Sequence, residues 1–227
     1  ETYNLPDHEI VDHKTYAFAG DGCLMEGVSH EVCALAGTLK LNKLTVFWDD
    51  NEISIDGPIH PWCTTDVAKV FEGYGWSVIR DIDGHDATAI REAIKQANAE
   101  TDKPTLLCCK TKIGFGSPKV AGTAKAHGAA LGDAEVQATR DALDWPHAAF
   151  EIPDEIYAQF DARDAGEKKE AAWQVTFNAY EKAHPEKAAA FNAQLNQALP
   201  DDWSATMTAL LEDAQTASTA MATRKAS

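Results

Sequence analysis

Asp21 stands between two glycines directly after an apolar run, in AFAGDGCLMEG at residues 17–27. A carboxylate adds nothing to a hydrophobic core, so its value there lies in chemistry. Gly20 and Gly22 let the backbone turn tightly and come close to a ligand. A helix beginning just beyond them offers unpaired N–H groups to an anion such as a phosphate. An acid at that spot repels a phosphate unless a cation lies between them, and Mg²⁺ or Ca²⁺ takes carboxylate and phosphate oxygens together. A second turn, in FWDDNEISIDG, adds the amide oxygen of Asn51 and a backbone carbonyl a residue or two later. Carboxylate, amide and peptide oxygen form a hard-ligand set suited to Mg²⁺ bound with substrate phosphates. Singly, G-D-G is a tight turn and D-D-N a polar one. Their pairing, with 28 residues between Gly22 and Asn51, carries the signal.

Positioning these turns requires strands that end at them. KTYAFA at 14–19 reads as a buried strand, and KLTVFW at 43–48, WSVIRDI at 76–82 and PTLLCCK at 104–110 read as three more. Leu24, Val28, Val32, Leu35 and Leu39 fall at three- and four-residue steps, which predicts a helix over 23–39. Helical spacing also covers 66–74 and 86–99, the second capped by Asp83 or Asp86. Alternating strands and helices imply crossover connections, hence an α/β domain whose parallel sheet carries helices on both faces. Ligands of such sheets bind outside the carboxyl ends of the strands, where Asp21 and Asn51 lie.

Residues 111–132, TKIGFGSPKVAGTAKAHGAALG, form a long Gly- and Ala-rich loop of the length that is functional or disordered. From residue 133 onward the composition shifts to Ala, Glu, Gln and Lys, predicting three to five helices punctuated by Pro146, Pro153, Pro185 and Pro200. The expected division is therefore 1–132, a partial diphosphate- and metal-binding α/β domain, and 133–227, a helical segment and linker.

A net charge of −16 excludes a basic face for nucleic acid or an anionic membrane. No stretch of eighteen apolar residues is long enough to span a bilayer, and no secretory signal is present. The five cysteines form no C-x-x-C pair, which fits reduced thiols in a cytoplasm. The chain begins without Met and reads as a piece of something longer.

Longer stretches carry a resemblance. YAFAGDGCLMEGVSHEVCALAGTLKLNKL, DDNEISIDG, GWSVIRDIDGHD, CKTKIGFGSPKVAGTAKAHGAALG and FEIPDEIYAQFDAR resemble transketolase, in its bacterial form. The resemblance implies the later part of that family's thiamine diphosphate-binding domain and the linker behind it. It implies a transferase of the pentose phosphate pathway that moves a two-carbon ketol unit from a ketose phosphate to an aldose phosphate. The implied cofactors are thiamine diphosphate and Mg²⁺ or Ca²⁺, and the implied partners are sugar phosphates, a second subunit and the missing segments of the enzyme.

By the same resemblance, Asp21 and Asn51 match side-chain ligands of the metal, and Ile53 matches a backbone-oxygen ligand. Gly22 matches a contact to the diphosphate, Ile55 an apolar residue under the cofactor, and Ile113 a loop residue that closes over it. Glu26 matches an acid at the dimer interface that communicates with the cofactor-activating glutamate. His127 matches a histidine near the diphosphate and the reacting carbon, where an imidazole shuttles protons near neutral pH. Ala124 replaces a further family histidine, and Glu52 stands where the family often has Gly or Lys. The upstream strands and the pyrimidine-binding domain are absent, so the chain alone is expected to be incomplete and inactive. Two other readings are a non-catalytic binding or assembly module derived from a thiamine diphosphate enzyme, and a synthase making deoxyxylulose phosphate.

Overall fold

The computed structural model describes residues 2–226. Within it the chain forms two compact units, one spanning His13–Gln159 and the other joining the segment up to Asp12 with the segment from Phe160 onward. The composition changes at residue 133, whereas the units divide after Asp12 and after Gln159.

In the first unit, β1 (Thr15–Gly20) leads into α1 (Asp21–Met25) and α2 (Gly27–Thr38). Strand β2 (Leu44–Asp50) runs into a two-stranded ribbon, β3 (Ile53–Ser54) and β4 (Gly57–Pro58). Then follow α3 (Val67–Gly73), β5 (Ser77–Asp83), α4 (Ala87–Ala99) and β6 (Thr105–Lys110). The main sheet has the order β1-β2-β6-β5 and is parallel throughout. Side chains alternate between faces along a strand. Val46, Leu106 and Cys108 accordingly pack against Leu24, Ala36, Phe71 and Trp76 on one face. Leu107, Cys109 and Ile82 pack against Ala93 and Ala97 of α4 on the other. An unbroken apolar run such as TLLCC is what a strand buried on both faces requires. Burial pushes the Cys108 thiol up to about 12, as expected for a structural cysteine, and all five cysteines are free.

The cap of α4 is Asp86, whose carboxylate accepts from Thr88 N at 2.7 Å, while Asp83 accepts from His85 N. Asp66 does the same for α3, accepting from Lys69 N at 3.1 Å.

Two expectations are corrected. Among the described residues β1 pairs with β2 alone, and Phe18 is 80 % exposed, so the segment is not the buried strand expected within this chain. Phe18 stacks on Phe47. The helix over 23–39 is two helices, broken where Glu26 takes an extended conformation (φ −70°, ψ 136°). Of its apolar stripe only Leu24 is buried, and Val28, Val32, Leu35 and Leu39 are exposed. The core side of α2 is made instead by Ala36 and Gly37, which let the helix approach the chain around Tyr74.

Beyond β6, the loop ends in a 3-10 turn, Ala124–Ala126, before α5 (Asp133–Ala142) and α6 (Asp154–Phe160). The second unit holds α7 (Arg163–Ala183), α8 (Pro185–Leu195), α9 (Trp203–Ala217) and α10 (Thr223–Ala226). The described residues beyond 132 thus contain six helices, one more than the upper expectation. Pro185 opens α8 at its first turn, where a missing N–H is harmless. Tyr180, Phe177, Ala188 and Phe191 form the core of this unit with Ile10. Trp173 Nε1 donates to Ile10 O at 2.8 Å, and Asn4 Oδ1 accepts from Ile10 N and Val11 N. The first residues therefore belong to the helical unit, held by apolar burial and by an asparagine that satisfies their N–H groups.

Candidate functional site

Strands β1 and β2 run parallel and in register, Gly20 opposite Asp49, so their carboxyl ends finish side by side. The chain leaves β1 through α1, whose first residue is Asp21, and leaves β2 through Asn51 and Glu52. Asp21 is only 4 % exposed. Its Oδ1 accepts from Trp48 Nε1 at 3.0 Å and its Oδ2 accepts from Glu52 N at 2.8 Å. The second bond joins the two turns directly. Asn51 Oδ1 accepts from Ile53 N at 3.0 Å, which folds the turn onto itself. Ile53 lies opposite Pro58 in the ribbon, and proline has no N–H to donate to its carbonyl.

A carboxylate offers about four acceptor positions and an amide oxygen two. Hydrogen bonds from two donors leave Asp21 with further acceptor capacity, and one leaves Asn51 with some. Burial raises the Asp21 carboxyl above its ordinary value, with the nearby Asp50 adding repulsion against the lowering hydrogen bonds of Trp48 and Glu52. A buried carboxylate held at a penalty is what a cation relieves. The donor set of Asp21, Asn51 and the Ile53 carbonyl therefore fits a hard divalent ion, Mg²⁺ or Ca²⁺.

A side chain built on Gly20 or Gly22 meets no protein atom within 4 Å. A cavity of about 450 Å³ adjoins the site, lined by Asp21, Trp48, Asp50, Glu52, Arg80 and Lys110 among others.

The structure adds residues that sequence reasoning missed. Trp48 positions Asp21, and its only sequence signal is strand period: Val46, Trp48 and Asp50 share one face of β2. Asp50, 5 % exposed, pairs across the ladder with Lys110, whose Nζ lies 2.6 Å from Asp50 Oδ2 and 3.7 Å from Glu52 Oε1. The bond to Asp50 raises the Lys110 ammonium above its ordinary range. Glu52 itself adopts φ +61°, a left-handed conformation that favours glycine.

The remaining candidates are scattered more widely. Ile55 is 70 % exposed in the turn that joins β3 to β4, and Glu26 is exposed at the break between α1 and α2. Ile113 is half-buried, its carbonyl accepting from Gly122 N at 2.8 Å. His127 is exposed at the end of the 3-10 turn, its N–H donating to Ala124 O. The loop that carries Ile113 and His127 starts beside the site, because Thr111 N donates to Asp50 O at 3.1 Å. The loop is ordered by its own hydrogen bonds and not a structureless connection.

The family described as "Transketolase, thiamine diphosphate binding domain" matches residues 1–200. The chain is 58% identical over 225 residues to Transketolase 1 of Escherichia coli (strain K12), covering 99% of this chain and 34% of that protein. It is 56% identical to Transketolase 1 of Pasteurella multocida (strain Pm70) over the same shares. The chain thus spans about a third of the length of the curated relatives it matches. Among solved structures, transketolase of Pichia stipitis in complex with sedoheptulose-7-phosphate superposes with TM-score 0.81 at 42% identity, over 89% of this chain and 30% of that one. Transketolase from Leishmania mexicana gives TM-score 0.83 at 39% identity, over 90% and 31%.

Proposed function

The chain belongs to the transketolase family, through its thiamine diphosphate-binding domain, and we propose that it supplies the metal clamp and part of the diphosphate cradle of a ketol-transferring enzyme. The observation that carries this reading is the bond between Asp21 Oδ2 and Glu52 N, which brings a buried carboxylate against the Asn51–Ile53 turn.

Asp21, Asn51 and the Ile53 carbonyl would hold Mg²⁺ or Ca²⁺, and Gly22 would let the diphosphate approach the backbone. When bound, thiamine diphosphate supplies carbanion-stabilising chemistry that side chains lack. The chain's own residues bind and orient. Trp48 and the Glu52 N–H fix both oxygens of Asp21, so the carboxylate is set before any ion arrives. Ile55 and Ile113 would offer apolar contact to the cofactor, Ile113 from the loop. His127 would hold or release a proton at its imidazole, or donate to an oxyanion of the sugar.

The substrates proposed are a ketose phosphate and an aldose phosphate, in line with the sugar phosphates named for the Pichia stipitis structures. A second subunit and the further segments of the enzyme are the proposed partners. The exposed stripe of Val28, Val32, Leu35 and Leu39, with Glu26 at its head, supports such a covered surface. A cytoplasmic enzyme fits the five free cysteines, and no helix among the described residues is long and apolar enough to cross a membrane.

The test mixes this chain with a polypeptide carrying the rest of a bacterial relative and measures Mg²⁺-dependent thiamine diphosphate binding by calorimetry. Asp21→Ala is expected to weaken binding more than about 100-fold, beyond the 10–100-fold loss typical of outer-shell partners. Unchanged affinity for metal and cofactor in that variant would overturn the assignment.

A further inference from the structure

Glu135 lies in the first turn of α5, yet it is 5 % exposed, unusual for a carboxylate. Its Oε1 accepts from the Ser117 hydroxyl at 2.5 Å and from the Lys119 backbone N–H at 2.8 Å. Ser117 is itself buried at 4 % exposure. The Lys119 ammonium stands 3.9 Å from Oε2, which has no hydrogen-bond partner of its own. A surface carboxylate gains nothing by burying itself this way. One that holds a loop does, because two loop donors find their acceptor on a helix.

The segment around these bonds is folded to match. Phe115 N donates to Lys112 O, Ser117 N to Gly114 O, and Gly122 N to Ile113 O, at 3.1, 3.0 and 2.8 Å. Gly116 has φ +88° and approaches α5's exit so closely that a Cβ there would lie 2.6–2.9 Å from Leu143 side-chain atoms. At the other end, His85 stacks on Phe115 with ring centroids 4.0 Å apart and accepts from Lys112 N at 2.9 Å. The loop is thus pinned from two sides by groups distant in sequence, with Ile113 between the pins.

We propose that Glu135 is a positioning residue that braces residues 112–123 against α5, so that Ile113, and His127 downstream, reach the cofactor in a preformed loop. This rests on the reading of Ile113 and His127 as cofactor-facing. A loop ordered in advance loses less freedom on binding, so the brace acts on cofactor affinity more than on the fold. The side chain holds the loop through Ser117 and Lys119 and is not one of the donors at the strand-end turns. Its effect passes through Ser117, Lys119 and the Gly122–Ile113 bond.

Hydrogen exchange on this chain tests the brace without reference to activity. In Glu135→Ala the amides of Lys119 and Gly122 are expected to exchange at least about 10-fold faster, with the β2 and β6 amides unchanged. Glu135→Gln keeps one acceptor oxygen and is expected to restore part of the protection. In the mixed, complete enzyme Glu135→Ala is expected to weaken thiamine diphosphate binding about 10-fold, with Glu135→Gln intermediate. Unchanged exchange at Lys119 and Gly122 would overturn the brace. Faster exchange with unchanged cofactor affinity would overturn the positioning role. Faster exchange in a protein whose parent binds no cofactor at all would support the brace and overturn the cofactor reading instead.

Discussion

Trp48 Nε1 donates to Asp21 Oδ1 at 3.0 Å, so an indole from the inner strand β2 holds one oxygen of the acid at the tip of its neighbour. The parallel register places Trp48 opposite Ala19, one residue before β1 ends, within reach of the first residue of α1. Trp48→Phe keeps most of the apolar surface and removes the donor. It is expected to lower stability by about 1–3 kcal/mol, the penalty for a buried acceptor that loses its partner. Metal-dependent cofactor affinity in the complete enzyme should fall 10- to 100-fold, as for other groups that orient ligands. Urea unfolding of this chain and calorimetry on the complete enzyme measure the two effects separately.

Glu52 donates its backbone N–H to Asp21 while its own φ is +61°. A non-glycine residue held left-handed costs about 1–2 kcal/mol. Its exposed carboxylate gains little from Lys110 at 3.7 Å. Glu52→Gly is therefore expected to raise stability by about 1 kcal/mol, seen as a higher urea midpoint with an unchanged slope. A fall in the midpoint would mean that the side chain contributes more than the strain removes.

Gly37 lies in α2 with its missing side chain aimed at backbone: a Cβ there would sit 1.9 Å from Tyr74 O. Backbone cannot move aside as a flexible side chain does. Gly37→Ala is expected to destabilise by about 2 kcal/mol or more despite alanine's better helix propensity. Thermal unfolding of the two proteins decides this, and a neutral or stabilising result would contradict the close approach of α2 to Tyr74.

The Ser117 hydroxyl and the Lys119 N–H hold the Glu135 carboxyl below its ordinary 4.5, and the Lys119 ammonium adds to the lowering. A depressed folded value means the brace is fully present above 4.5 and weakens as pH falls through the lower, folded value. Protection of the Lys119 and Gly122 amides, corrected for intrinsic exchange, should be flat from about pH 5 to 8 and decline only in more acid solution. A decline centred near neutrality would point to another titrating group.

Much of the site is written locally. G-D-G after an apolar run, D-D-N after another and helical spacing between them are consequences of neighbours in sequence, because turns, caps and periodicity depend on a few consecutive residues. The same holds for Asp86 as a helix cap and for the unbroken apolar run of β6. That Asp21 and Asn51 serve one site follows from the α/β pattern, since parallel strands end together. Burial was less legible. KTYAFA reads as a buried strand, but Phe18 is exposed because β1 has one neighbour among the described residues, and strand neighbours are set by the sheet and not by the strand's own sequence. The stripe on α2 likewise has helical period without burial, since periodicity names a face and not what covers it.

The sequence by itself determined the four parallel strands and the helices α3 and α4 between them, the acids and amides at the strand ends, and the resemblance from which their chemistry was expected. Only the tertiary structure decided which groups hold them: Trp48 on Asp21, Glu52 N–H across the two turns, Lys110 on Asp50, and Glu135 on a loop that precedes it. Each of these pairs is set by sheet register or by helix packing between residues distant in sequence. A single hydrogen bond of that kind leaves no periodic trace in the chain, because its partners are chosen by where the fold brings them.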